Sequence, residues 1–156
     1  MKILWAPWRI KYILGKKKRC IFCDKMKQNR DRENYILLRG KNGFVMLNTF
    51  PYNNGHLMVA PYKHVPDLES LEKDVLADLM GLVKTCTQIL KKTLKPEGFN
   101  IGINLGKVAG AGVEGHIHIH IVPRWGADTS FISTVGDTKI IPESLDDTFG
   151  KLLSAL

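Results

Sequence analysis

Three histidines, His116, His118 and His120, alternate with Ile117, Ile119 and Ile121 directly after Gly115. A β-strand repeats every two residues, so this spacing sends the three imidazoles to one face and the isoleucines to the other. Three of the chain's five histidines fall within these five residues. An uncharged imidazole at neutral pH serves as nucleophile, base, acid or metal ligand. A strand that merely faced solvent would gain little from such clustering.

Two neighbouring features extend this chemistry. Gly106–Gly115 holds four glycines and two alanines and runs straight into the histidine strand. Backbone N–H groups in such a loop converge on phosphate oxygens because side chains do not block them. The loop has no terminal Gly-Lys-Ser/Thr and is not a P-loop. Followed by three co-facial imidazoles, it points to phosphoryl transfer. Cys20-Ile21-Phe22-Cys23 has the spacing of half a tetrahedral zinc site. The histidines free to complete it are His64 and one of the strand's three; the alternative is a pair of core thiols. Cys86 lies on an apolar helical stripe and reads as core.

Gly115–Trp125 resembles the histidine triad (HIT) family of nucleotide hydrolases and transferases, whose signature alternates histidine and apolar residues. Asn48, followed eight residues later by His56 after Gly55, matches the family's nucleotide-binding segment. Asn104 and Ala109–Gly112 match its phosphate-side segment. The likeness spans about residues 20–125. Trp5–Arg9, Pro123–Trp125 and Gly126–Phe131 are similar to the bacterial branch of diadenosine tetraphosphate phosphorylases and ATP adenylyltransferases.

The resemblance implies roles for single residues. His118 is the expected nucleophile, forming a covalent nucleotidyl-imidazole at the α-phosphorus, with a backbone carbonyl fixing its tautomer. His120 is expected on a phosphate oxygen or the leaving group, and His56 near the α-phosphate. Asn48 would bind ribose; Asn104 and the backbone of Gly110, Ala111 and Gly112 would hold phosphates. Arg124 would neutralise phosphate or pair with an acid such as Asp128. Trp125 would stack on a base or lie at a dimer interface. Cys20, Cys23, His64 and His116 would hold structural Zn²⁺, and Mg²⁺ would ride on the polyphosphate. The implied substrate is an adenine nucleotide or dinucleoside polyphosphate of the Ap4A type. Water and phosphate both remain open as acceptors. A homodimer is the implied assembly.

The elements that must position these groups follow from periodicity and turn chemistry. Residues 1–19 read as an irregular arm anchored by Trp5, Trp8 and Tyr12, and Cys20–Lys27 as a turn entering a short helix. Asn34–Arg39 and Phe44–Asn48 flank a hairpin signal at Gly40–Gly43. His56–Ala60 is a third strand and Pro61–Pro66 a loop. Apolar residues at helical spacing predict one long helix over Leu71–Leu94, ended by Pro96 and Gly98. Phe99–Leu105 and His116–Val122 are the last strands, and Glu143–Leu153 a short helix. The layout is α+β: a five-stranded antiparallel sheet of HIT type, one long helix and short flanking helices. We expect one domain over 1–156, with the arm at 1–19, the core at 20–125 and an extension at 126–156.

Composition narrows the function classes. Apolar residues make up 44% and charged residues 24%, as in soluble globular proteins. No apolar run approaches the ~18 residues that span a bilayer. The N-terminus does not read as a secretory signal, and three cysteines make no disulfide framework, so a cytoplasmic location is expected. Residues 1–41 carry 13 Lys/Arg against 3 Asp/Glu, whereas the rest carry 10 against 12. The basic excess, densest at Lys16–Arg19, attracts polyanions. It keeps open a second reading, a nucleic-acid-associated protein that binds ends or removes adenylate from them. That reading is disfavoured because little chain follows residue 125.

Overall fold

The computed structural model describes residues 20–129 and 139–156. The expectations for Trp5, Trp8, Tyr12, Lys16–Arg19 and Phe131 lie outside the described residues.

Helix α1 (Ile21–Lys27) opens the described chain. Strands β1 (Ile36–Arg39), β2 (Gly43–Leu47) and β3 (Leu57–Pro61) follow, then helix α2 (Lys73–Thr93). Strands β4 (Gly98–Ile103) and β5 (Ile119–Arg124) and helix α3 (Leu145–Leu153) complete the order. The sheet runs β1-β2-β3-β5-β4, and every neighbouring pair is antiparallel. This is the α+β architecture expected from the pattern. No helix among the described residues is long and apolar enough to cross a membrane.

Alternation along the strands sorts side chains between two layers. Val45, Leu47, Leu57 and Val59 join Leu79, Val83, Cys86 and Leu90 of α2 in the larger core. Phe44, Met46, Met58 and Ala60 face the other way, onto Phe22 of α1. Ile117, Ile119 and Ile121 point to the α2 layer. Strand geometry therefore leaves His116, His118 and His120 on the α1 layer, all buried.

Several boundaries differ from expectation by a few residues, and the starts of β5, α2 and α3 each have an identifiable reason. Regular pairing of β5 begins at Ile119 rather than His116. β3 ends at Pro61, which has no N–H for a ladder, and Ile117 N–H turns to Val65 O at 2.7 Å. Helix α2 starts at Lys73, because Ser70 is held by Asp67 Oδ1 in its own turn. Helix α3 starts at Leu145, where Ser144 accepts from Asp147 N–H as an N-cap.

The turn between β2 and β3 needs glycine at one point. Gly55 has φ +71, and a Cβ there would lie 2.5 Å from Leu94 Cδ1. The segment before His56 is thus pressed against the end of α2.

Candidate functional site

Two sites share the α1 face of the sheet, and the ring of Phe22 lies between them. It is fully buried, with its centroid 5.0 Å from that of His116 and 4.8 Å from that of His118. α1 places Cys20 and Cys23 on one side of this ring, and the cavity opens on the other.

On the first side, Cys20, Cys23, His64 and His116 each offer one ligand atom, all within 4.8 Å of one another. His116 Nδ1 lies 3.3 Å from Cys20 Sγ, 3.5 Å from Cys23 Sγ and 3.3 Å from His64 Nδ1; Cys23 Sγ to His64 Nδ1 is 3.4 Å. A tetrahedral zinc with bonds of about 2.0–2.3 Å has ligand–ligand edges of roughly 3.3–3.8 Å. The outer ring atom of His116 supports the same reading. Pro61 O can only accept, so His116 Nε2–H donates to it at 2.9 Å. That leaves a lone pair on Nδ1, aimed at the cluster. Burial holds the His116 pKa below its ordinary value, which keeps the ring neutral. The donor set, two thiols and two imidazoles, is one that zinc prefers.

On the second side lies a cavity of about 800 Å³. His118 and His120 line it beside Asn48, Gly110 and Gly112. Ile21, Phe22, Met46, Met58 and Val113 supply apolar wall. Among the described residues no carboxylate lines it.

The hydrogen bonds assign the tautomers here. His118 Nδ1–H donates to its own neighbour's carbonyl, His116 O, at 2.9 Å. The lone pair is therefore on Nε2. Tyr52 N–H donates to His56 Nδ1 at 3.0 Å, so His56 carries its proton on Nε2. His56 Nε2–H then donates to His120 Nδ1 at 2.9 Å, which leaves His120 with an N–H at Nε2. Burial, then the neighbouring imidazoles His120 and His118, push His56 down to about 3. Burial and His118 push His120 down to about 4. Burial also lowers His118. The site thus sets neutral bases beside a neutral N–H donor at pH 7.

The remaining expected residues divide. Asn48 Oδ1 accepts from Phe50 N–H at 2.9 Å, and its amide nitrogen is 3.4 Å from His56 Nδ1. His56 is fully buried behind His120 rather than in the cavity wall. Asn104 stands beside Gly110, its Nδ2 3.7 Å from where a Cβ would be, and Gly110 has φ +92. Ala111 is buried, its N–H on Gly106 O at 3.2 Å. Of the two roles open to Arg124, the structure displays the ion pair. Its Nε and Nη2 hold Asp128 at 2.6 and 3.1 Å, and Nη1 donates to Asn100 Oδ1 at 2.7 Å. Arg124 lines a smaller hollow of about 240 Å³ with Tyr52, Asn53, Asn100 and Lys139. Trp125 lines neither hollow.

Several residues of the site were not singled out from the sequence. Phe22 could have been found as an apolar residue inside the cysteine pair. Tyr52 stacks on His120 with centroids 5.6 Å apart, from the connection between β2 and β3. Lys139, Ile141 and Leu145 reach the cavity from the extension, and no local pattern marks them.

A Cys/His cluster and a histidine pair flanking a cavity, on this antiparallel sheet, define a histidine triad architecture. The HIT domain family matches residues 29–126, and the chain belongs to it. It is 38% identical over 154 residues to the AP-4-A phosphorylase of Mycobacterium tuberculosis, covering 93% of this chain and 79% of that protein. Among solved structures it is similar to a zinc-bound histidine triad family protein from Mycobacterium smegmatis. That likeness has TM-score 0.64 and 28% identity, and covers 78% of this chain and 82% of the other. A histidine triad nucleotide-binding protein from Sulfolobus tokodaii gives TM-score 0.68 and 28% identity, covering 87% and 88%.

Proposed function

We propose that this chain is a nucleotidyl hydrolase or transferase acting on dinucleoside polyphosphates of the Ap4A type. The observation that carries the reading is the commitment of His118 Nδ1 to His116 O, which leaves Nε2 as the basic atom in the cavity wall. The likeness to a phosphorylase of that substrate supports it.

In this reading His118 Nε2 attacks the α-phosphorus and forms a P–N bond as the P–O bond to the departing nucleoside polyphosphate breaks. His120 Nε2–H, set by His56, donates to the leaving oxygen or to a phosphate oxygen. Asn48 holds ribose; Asn104 and the backbone of Gly110–Gly112 hold phosphates. In the second step water or inorganic phosphate attacks phosphorus and releases His118. Fixed donors in a largely apolar cavity supply most of the rate. A magnesium ion would travel with the polyphosphate, since no carboxylate among the described residues lines the cavity. Zinc held by Cys20, Cys23, His64 and His116 would act as a cross-link between α1, the loop after β3 and the triad segment. The thiols suit a reducing, cytoplasmic compartment.

Diadenosine tetraphosphate incubated with and without inorganic phosphate tests this. Release of ATP, with ADP in the phosphate arm, is expected for phosphorolysis; ATP with AMP in both arms assigns hydrolysis. No ATP in either arm, and no adenylate on His118 by mass spectrometry, overturns the reading.

The assembly is proposed on a separate observation. β4 is an outer strand of the sheet, and Asn100, Ile101 and Gly102 on it are exposed. An open edge of this kind pairs with a second copy. Light scattering of the full chain is expected to give a homodimer.

A further inference from the structure

Outside the cavity, a buried carboxylate gathers groups from three parts of the chain. The Asp128 side chain is 6% exposed. Its Oδ2 accepts from Arg124 Nε at 2.6 Å, Asn53 Nδ2 at 2.9 Å and Trp125 N–H at 3.3 Å. Thr129 Oγ1 is 3.4 Å from Oδ1, and Lys139 Nζ is 3.9 Å from Oδ1 and donates to Asp128 O. No proposed chemical step uses this carboxylate.

Its reach runs toward the reactive histidines. Asn53 is 4% exposed and spends both amide hydrogens, one on Asp128 and one on Pro123 O at 2.9 Å. Asn53 Oδ1 accepts from Asn54 N–H at 3.1 Å, and Asn53 O from His56 N–H at 3.2 Å. Each polar group of this side chain is therefore fixed. The residue before it is Tyr52, whose N–H sets the His56 tautomer. Moving the Asn53 backbone would move that N–H. With the Tyr52 N–H displaced, Nδ1 keeps only the longer contact to Asn48 Nδ2 at 3.4 Å, which holds the tautomer less firmly; a ring that takes its proton on Nδ1 cannot donate from Nε2 to His120.

We propose that Asp128 is a positioning residue: by anchoring Asn53 it holds the Tyr52 N–H on His56 and so selects the N–H tautomer of His120 that faces the substrate. The kinetic consequence rests on the proposed nucleotidyl transfer, but the tautomer selection does not. The carboxylate acts by geometry, through two hydrogen-bonded residues, and touches neither substrate nor histidine.

The test uses the full-length chain with ¹⁵N-labelled histidine and long-range ¹H–¹⁵N correlation, which reads tautomers directly. In the parent, His56 and His120 are expected as Nε2–H forms. In Asp128→Ala the His56 signals are expected to shift toward a mixture of tautomers, with kcat falling about tenfold to a hundredfold and KM little changed. Asn53→Ala breaks the same link while leaving the Arg124–Asp128 pair in place, and is expected to give the same shift. It decides the matter if Asp128→Ala does not fold. Parent-like tautomers in folded Asn53→Ala overturn the proposal, as does a loss of kcat in Asp128→Ala without any tautomer change. Failure of the parent to turn over substrate would instead count against the proposed reaction and leave the spectral result standing.

Discussion

The ring of Phe22 touches His118 from the side of the cysteine pair, centroid to centroid 4.8 Å. One apolar residue thereby joins the metal-type cluster to the cavity. Cys20 and Cys23 flank it in sequence, so whatever fixes the two thiols fixes the ring.

Stripping metal is expected to loosen this clamp. α1 has no side-chain N-cap bond at Cys20, and seven residues do not sustain a helix in isolation. Chelation, or Cys20→Ala, is expected to lower Tm by about 10 °C and release about one zinc per chain. Calorimetry alongside metal analysis checks it. A purified chain that carries no zinc and ignores chelators would remove the cross-link from the account.

Truncating the ring isolates its packing. Phe22 is wholly buried against Phe44, His116 and His118. Phe22→Ala is expected to cost about 3–5 kcal/mol, and Phe22→Leu clearly less because most of the volume remains. Denaturant unfolding measures both. Equal losses in the two variants would contradict a volume-based account.

His118→Ala is expected to lower turnover by about 10⁴-fold or more while the fold persists. Its ring is packed on Phe22, so some loss of Tm accompanies the change. Intact mass after mixing with substrate should show adenylate on the parent and none on the variant. An adduct that survives in the variant would move the nucleophile elsewhere.

How much of this was readable in advance depends on the reach of each interaction. The sides taken by His116–His120 and Ile117–Ile121 follow from a two-residue period, so local geometry sufficed. The ligand grouping of Cys20 and Cys23 with His64 and His116 spans more than 90 residues. The spacing marked half of it, and the family resemblance completed it. The start of β5 was missed because Pro61, on another strand, ends the ladder. Asp128 was legible as a partner for Arg124 but not for Asn53, and Tyr52 and Asn53 were not singled out, for a related reason. Asn53 meets Asp128 75 positions away and His56 meets His120 64 positions away, so the short Tyr52–His56 contact gains its importance only through distant partners.

Acid should destabilise the fold through the buried histidines. His56 and His120 stand at about 3 and about 4 in the folded chain, against an ordinary value of 6.5. The unfolded chain therefore binds more protons below 6.5, and stability falls as pH drops. Their contribution is complete above 6.5 and is lost progressively down to about 4 for His120 and about 3 for His56. Lowered carboxylates such as Asp128 and Glu143 act in a separate window, beginning below 3.8 and 4.5. The interval from pH 6.5 to 4.5 thus belongs to histidine, with the cluster's own ligands adding to it when metal is bound. Urea unfolding of metal-free protein at pH 7, 6 and 5 is expected to show a steady decline. His120→Gln should flatten that slope, because one depressed imidazole is gone. A parent whose stability is level across this interval would mean that the pair is already protonated, or that its burial is relieved by water.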